Sequence, residues 1–198
     1  MELTGGKLKV TGDVETSYST ASKFGGGEIA LYSMPTNTPD AFGVQAEIDG
    51  LLHLSNYSAL ALFCHISNGA IPYVKVGNVT IDEGGRIDAS MKGYGSGMGD
   101  GARSGSRYYG GAYGGRGGMA PKGTEANRTL PYGDLKKPLV PGSGGSYSHT
   151  FNARGGGVVY LEVAKNIVLN GTIAADGSRY NRGYYSWYPG SSDANARE

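Results

Sequence analysis

The 198-residue chain contains 36 glycines and 15 tyrosines, but few of the Leu, Ile, Val and Phe side chains that usually fill globular cores. This composition excludes a large apolar interior and predicts a narrow, repetitive core within a single domain. The net charge of +1 hides an asymmetry, because residues 1–90 hold ten acids and five bases, whereas residues 91–137 hold eight bases and three acids.

A short pattern of glycine followed by alternating apolar residues recurs along the chain. It occurs first in residues 5–14 and 25–31, and its two longest copies begin at Val74 and Leu161. Because successive side chains of a strand point to opposite faces, this period of two predicts short strands with one apolar face. The inward side chains are predicted to be Val74, Val76, Val79, Ile81, Ile87 and Ala89, matched by Leu161, Val163, Ile167, Leu169, Ile173 and Ala175.

Strands this short cannot bury an apolar face alone and have to stack on copies of themselves. The sequence therefore predicts an all-β fold, a right-handed parallel β-helix with a long glycine- and tyrosine-rich insertion. A β-sandwich is the alternative, because Asn68-Gly69, Asn170-Gly171 and Asp176-Gly177 are dipeptides typical of β-hairpins. In the β-helix these and similar residues would form the corners, namely Asn78, Asp82, Gly84, Gly85, Asn170, Gly171, Asp176 and Gly177.

The chain is predicted to form one β-rich unit over residues 1–198. Strand repeats occupy residues 1–91, the insertion follows over 92–157, a returning repeat spans 158–178, and an aromatic tail covers 179–198. Nearly a third of the insertion is glycine, so it cannot build an apolar core of its own. It is either disordered or an extended segment along the strands, in which glycine permits close approach of backbones.

Two features bear on the cellular compartment. Cys64 lies in the apolar run Leu-Ala-Leu-Phe-Cys-His-Ile, which predicts a buried free thiol. Four Asn-X-Ser/Thr triplets are candidate N-glycosylation sites or, equally, turn and strand residues of the predicted fold. Their asparagines are Asn56, Asn78, Asn127 and Asn170.

Residues 74–178 resemble glycine-rich repeat segments of very large surface or secreted proteins of bacteria and protists. The resemblance rests on Gly-Asn-Val-Thr-Ile-Asp-Glu-Gly-Gly-Arg-Ile-Asp-Ala89 and Pro-Tyr-Gly-Asp-Leu-Lys-Lys-Pro-Leu-Val-Pro-Gly-Ser-Gly-Gly145. It continues in Gly155-Gly-Gly-Val-Val-Tyr-Leu-Glu-Val and Asn170-Gly-Thr-Ile-Ala-Ala-Asp-Gly177. It implies a β-helical element of an adhesin-like or matrix-like protein at the cell surface or outside the cell, with no catalytic residues.

Catalytic and cofactor motifs are absent from the sequence. It contains no Gly-X-Ser-X-Gly elbow, no His-Glu-X-X-His and no Walker motif, and its three histidines lack metal-ligand spacing. Asp82, Glu83 and Asp88 could supply a carboxylate pair for acid–base chemistry or calcium, but aspartate before glycine is also a common corner residue. We therefore expect no enzymatic activity, no cofactor and no resident metal.

Aromatic side chains are the best candidates for a contact surface, because their rigid rings supply contact area at low entropic cost. The candidates are Tyr108, Tyr109, Tyr113, Tyr184, Tyr185, Trp187 and Tyr188. We expect an extracellular structural or adhesive module that packs with neighbouring repeats or subunits, and glycans are a further candidate partner. The alternative is a carbohydrate-binding or carbohydrate-cleaving β-helix. Neither nucleic-acid binding nor membrane insertion is expected, since there is one Gly-Gly-Arg-Gly-Gly118 piece and no apolar run of bilayer length.

Overall fold

The fold consists almost entirely of β-strands. The computed structural model describes residues 1–16, 27–37, 41–55, 57–102, 109–119, 122–145 and 153–178. Within these ranges the only helical element is a 3-10 turn at Glu125–Asn127. The all-β prediction is therefore confirmed.

The strands of the described residues form two sheets. The first sheet has the order β1 (Glu2–Thr4), β4 (Glu28–Tyr32), β6 (Ala59–Phe63), β8 (Arg86–Asp88) and β11 (Thr172–Ala174). The second sheet consists of β2 (Lys7–Val10) and β3 (Val14–Thr16), then β5 (Phe42–Leu54), then β7 (Ile71–Ile81), then β9 (Leu161–Val163) and β10 (Ile167–Leu169). Every pair of these strands is parallel.

The chain alternates between the two sheets, and in each sheet the strand order is the sequence order. Each return to a sheet therefore adds a strand beside the one laid down before. We call β1, β2 and β3 the N-terminal edge and β9, β10 and β11 the C-terminal edge. Within the described residues, these strands are the outermost members of the two sheets.

The core lies between the inner faces of the two sheets. It contains Leu31, Val44, Ala46, Ile48, Leu52, Leu54, Leu60, Leu62, Val74, Val76, Val79, Ile81, Ile87 and Ala89, all buried. All six side chains predicted to point inward in the first long repeat belong to this cluster. Leu, Ile and Val dominate it because two narrow sheets can exclude water only with apolar rows of similar size.

The residues that the two long sequence repeats align are register partners on neighbouring strands of the structure. Leu161 lies opposite Val74, Ile167 opposite Val79, and Ile173 opposite Ile87. Burial differs between the two copies, because Ile173 is 41% exposed whereas Ile87 is fully buried. The second copy forms the C-terminal edge, and no further described strand covers it.

Two of the three dipeptides that favoured a β-sandwich do not form hairpins. Asn68-Gly69 connects β6 to β7 and Asn170-Gly171 connects β10 to β11, so each joins strands of different sheets. The positive φ of Gly69, 79°, suits a corner as well as a hairpin turn. The hairpin interpretation of these two turns is wrong, because parallel neighbours in one sheet need a crossover rather than a tight turn.

The described part of the insertion packs backbone against backbone. Gly93 N donates to Gly155 O over 3.0 Å, and Gly142 N donates to Gly156 O over 2.9 Å. A Cβ atom on Gly93 would lie 2.1 Å from the carbonyl oxygen of Gly156. At these residues the backbones of the insertion are therefore in close contact. Tyr94, which is 4% exposed, anchors this region against the strands by lying over Gly69.

Candidate functional site

The predicted carboxylates each have a neighbour of their own. Asp82 Oδ2 lies 2.8 Å from His53 Nε2. Asp88 accepts hydrogen bonds from Lys92 Nζ over 2.7 Å and from Ser90 N over 2.9 Å. Partial burial raises the pKa of Asp88, but the hydrogen bonds from Lys92 and Ser90 outweigh it, so this pKa lies below its usual value. These contacts are those of corner residues and ion pairs.

The described residues bring no metal-binding group together. No set of three or more His, Cys, Asp or Glu side chains in these ranges has the proximity to hold an ion. Cys64 is buried as predicted and accepts a hydrogen bond from Val158 N over 3.3 Å. Burial raises the pKa of its thiol to about 12, so the sulfur stays protonated and unreactive at neutral pH.

The tyrosine candidates fall into three groups. Tyr109 is only 7% exposed, and its hydroxyl oxygen accepts a hydrogen bond from Thr124 N, so it is an interior residue rather than part of a contact surface. Tyr113 is half-buried, and its ring meets that of Tyr132 edge to face at 5.1 Å. The others, Tyr108, Tyr184, Tyr185, Trp187 and Tyr188, lie outside the described residues.

Tyr113 and Tyr132 line a shallow groove of about 320 Å³ with Gly114, Pro131, Gly133, Asp134, Leu135 and Pro138. The Tyr132 hydroxyl donates to Pro141 O over 2.5 Å and accepts from Ser143 Oγ over 2.8 Å, which fixes the ring. Sequence reasoning missed Tyr132. The proline-punctuated segment around it was the available signal, since prolines on both sides restrict the backbone.

Aromatic rings on neighbouring segments also stack on one another, and these residues were missed as well. Tyr32 and Phe63 lie opposite each other in the first sheet with ring centroids 4.3 Å apart. Phe42 stacks on Tyr73 at 4.6 Å, and Tyr160 lies 5.5 Å from Tyr73. The alignment of repeats held the signal, because residues at matching positions of stacked strands become neighbours.

The candidate glycosylation sites differ in exposure. Asn127 and Asn170 are exposed, whereas Asn78 is half-buried and accepts a hydrogen bond from Asn166 Nδ2 over 3.4 Å. Asn56 lies outside the described residues. Asn127 and Asn170 therefore have room for a glycan, and Asn78 has less.

The C-terminal edge is the most distinctive surface of the described structure. Ile167, Val168 and Leu169 on β10 are 53%, 47% and 49% exposed, and Ile173 on β11 is 41% exposed. The register partners of Ile167, Leu169 and Ile173 are fully buried, namely Val79, Ile81 and Ile87. Contiguous apolar exposure beside unpaired strand edges is typical of an association surface.

Comparison with protein-family models, curated proteins and solved structures found no match. Among the described residues, no helix combines the length and the apolar character needed to cross a membrane.

Proposed function

We propose that this chain is a β-helical structural or adhesive module of an extracellular or cell-surface assembly, and that its C-terminal edge packs against a neighbouring repeat or subunit. The β-helix is supported by two parallel sheets that the chain visits alternately and extends in sequence order. Right-handed winding follows the strong preference of parallel crossover connections. The extracellular setting is supported by the resemblance of residues 74–178 to surface-protein repeats.

The observation that carries the proposal is the different burial of equivalent side chains. Ile87 and Ile173 have the same position in successive strands, yet Ile87 is fully buried and Ile173 is 41% exposed. Another strand layer on the C-terminal edge would bury Ile167, Leu169 and Ile173 as their partners are buried. Covering the exposed half of each side chain would contribute about 1 kcal/mol per residue.

A carbohydrate-binding module is the second candidate, and the Tyr113–Tyr132 groove favours it. The rings of Tyr113 and Tyr132 offer apolar faces to a sugar, hydrogen bonds fix the Tyr132 hydroxyl, and the exposed Asp134 provides acceptors at the rim. Asp134 Oδ1 already accepts hydrogen bonds from the backbone of Lys136 and Lys137, which orients its carboxylate.

Light scattering coupled to size-exclusion chromatography, with electron microscopy, tests the assembly function on the full chain. We expect concentration-dependent oligomers or filaments of the wild type, and a shift to monomers for Leu169→Asp. Leu135→Asp is the matched control, because Leu135 is 95% exposed but lies in the insertion. A monomeric wild type that binds a glycan array, with binding lost in Tyr113→Ala, would contradict the assembly function and support the second candidate.

A further inference from the structure

A row of alternating charges crosses the outer face of the second sheet. In successive strands Lys9 lies opposite Glu47, Glu47 opposite Lys75, and Lys75 opposite Glu162. Lys75 Nζ and Glu162 Oε1 are 3.7 Å apart. The row therefore begins with a lysine on the N-terminal edge and finishes with a glutamate on the C-terminal edge.

Near the centre of this row, neighbouring lysines lower the pKa of the Glu47 carboxyl group. Lys7 Nζ contacts Glu47 Oε1 at 2.7 Å, and this hydrogen bond is the main reason that the pKa of Glu47 lies below its usual value. The positive charges of Lys75 and Lys9, on the strands to either side, lower it further. A carboxylate on this face is thus stabilised by lysines from both neighbouring strands.

The two edges also match in the spacing of their apolar residues. Three residues separate Val10 from Val14 on the N-terminal edge, and three separate Val163 from Ile167 on the C-terminal edge. By contrast, β5 and β7 pair with a register shift between Ile48 and Leu51. Strands β9 and β10 could therefore pair with β2 and β3 without such a shift.

We propose that the C-terminal edge binds the N-terminal edge of a second copy of this chain, with Glu162 opposite Lys9 of that copy. This inference rests on the proposed assembly function and specifies its partner and polarity. The parallel pairing of β9 with β2 and of β10 with β3 places Leu161, Val163 and Ile167 over the second copy's Leu8, Val10 and Val14. The backbone groups of the edge strands then gain the partners that strands within the sheets already have.

Charge favours the contact between two unlike edges over the two symmetric contacts, in which an edge meets the same edge of a second copy. Joining two C-terminal edges in the same register would bring Glu162 of both copies together, and joining two N-terminal edges would do the same to Lys9. Like charges directly opposite each other destabilise strand pairing. A contact between two unlike edges does not close on itself, so repeated addition produces a linear filament.

Charge reversal at each edge tests the arrangement in full-length chains. We expect Lys9→Glu and Glu162→Lys each to weaken self-association by about tenfold, because each replaces an attraction by a repulsion. A one-to-one mixture of the two variants should associate as the wild type does. In that mixture one contact pairs the two introduced charges and the other pairs the native Glu162 with the native Lys9.

Sedimentation velocity measures these associations at low and at high salt, where screening should reduce the differences between variants. Lys136→Glu is the control for net charge, because Lys136 is exposed in the insertion. Each reversal also places like charges on neighbouring strands of its own chain, and Glu162→Lys removes the hydrogen bond from the Tyr73 hydroxyl to Glu162 Oε2. Circular dichroism must therefore show the wild-type fold in both variants before their association is compared.

Three results would overturn the inference. If the wild type assembles and Leu169→Asp blocks assembly, but the reversals have no effect or the mixture is not restored, the proposed function survives and the head-to-tail contact is wrong. If Lys9→Glu associates like the wild type while Glu162→Lys does not, the N-terminal edge takes no part in the contact and the head-to-tail arrangement is wrong. A wild type that stays monomeric contradicts both the inference and the assembly function.

Discussion

Polar residues at the corners use their side chains to hold the backbone. Asp13 Oδ1 accepts a hydrogen bond from Leu51 N over 2.6 Å, which joins the connection between β2 and β3 to the neighbouring strand β5. Asn68 is bonded twice to the backbone of Thr36, through Oδ1 at 3.1 Å and Nδ2 at 3.0 Å. Asp88 likewise accepts from Ser90 N. Corner chemistry thus accounts for these polar residues.

The ion pair of Asp88 with Lys92 should make the stability of the fold depend on pH. Asp88→Asn should lower the free energy of unfolding at pH 7 by about 1 kcal/mol, since it removes the partly exposed charge contact with Lys92. The folded-state pKa of Asp88 is lowered, so its contribution is fully present above the unfolded pKa of about 3.9. It is lost as the pH falls through the folded-state pKa. Urea unfolding of dilute wild type and variant across this range measures the effect.

Glu83→Gln is the control for this experiment, because Glu83 is exposed beside the same strand. We expect its stability to stay within about 0.5 kcal/mol of the wild type. A loss in Asp88→Asn that is equally large at pH 7 and well below the folded-state pKa would contradict the role of the ion pair.

Glycines allow elements without an apolar core of their own to pack closely. A Cβ on Gly77 would lie 2.4 Å from Asp49 O, so the backbones of β5 and β7 meet at this point. In the insertion, Tyr94 N donates to Gly142 O over 3.2 Å and Gly155 N donates to Tyr94 O over 3.0 Å. These segments are held by backbone hydrogen bonds, because glycine removes the side chains that would separate them.

Two glycines of the insertion provide a matched test of this close backbone packing. Gly93→Ala should destabilise the fold by about 1–3 kcal/mol, because the added methyl group would overlap the carbonyl of Gly156. Gly114→Ala should change stability by less than about 0.5 kcal/mol, since a Cβ there meets nothing within 4 Å. Thermal unfolding measures both. Equal stability of the two variants would contradict close packing at Gly93.

The described strands form two sheets whose N-terminal and C-terminal edges differ. Inside it, side chains at matching positions form rows such as Ile29, Leu60, Ile87 and Ile173 across the first sheet. Ile87 is fully buried and Ile173 is 41% exposed. The contribution of an apolar side chain at this position to the free energy of unfolding therefore depends on whether another strand covers it.

Alanine substitution along this row measures that dependence. Ile87→Ala should cost about 2–5 kcal/mol, the usual loss for a fully buried aliphatic side chain. Ile173→Ala should cost clearly less when unfolding is measured at concentrations where the chain is monomeric. At concentrations where it assembles, Ile173→Ala should also weaken association. Equal losses in dilute protein would show that Ile173 is already covered within one chain.

Much of the strand pattern could be predicted from the sequence. Local patterning gives the period of two and the inward residues from Val74 to Ala89. It also gives the alignment of the two long repeats, and the aligned residues are register partners in the sheets. Burial of Cys64 follows from the apolar run around it. These predictions succeeded because the direction of a side chain in a strand depends on the residue's own place in the alternation.

The candidate surfaces required the tertiary structure. Ile173 repeats the pattern of Ile87, and Tyr109 and Tyr113 occur in similar glycine-rich surroundings, so sequence alone could not separate exposed from buried members. His53 lies on β5, whereas Asp82 comes directly after the end of β7, so this pair joins two neighbouring parts of the second sheet. The strand period, the all-β class and the inward residues from Val74 to Ala89 could be read from local sequence. Which apolar rows remain exposed and which charges pair required the folded arrangement, because exposure and pairing depend on what lies across the neighbouring strand.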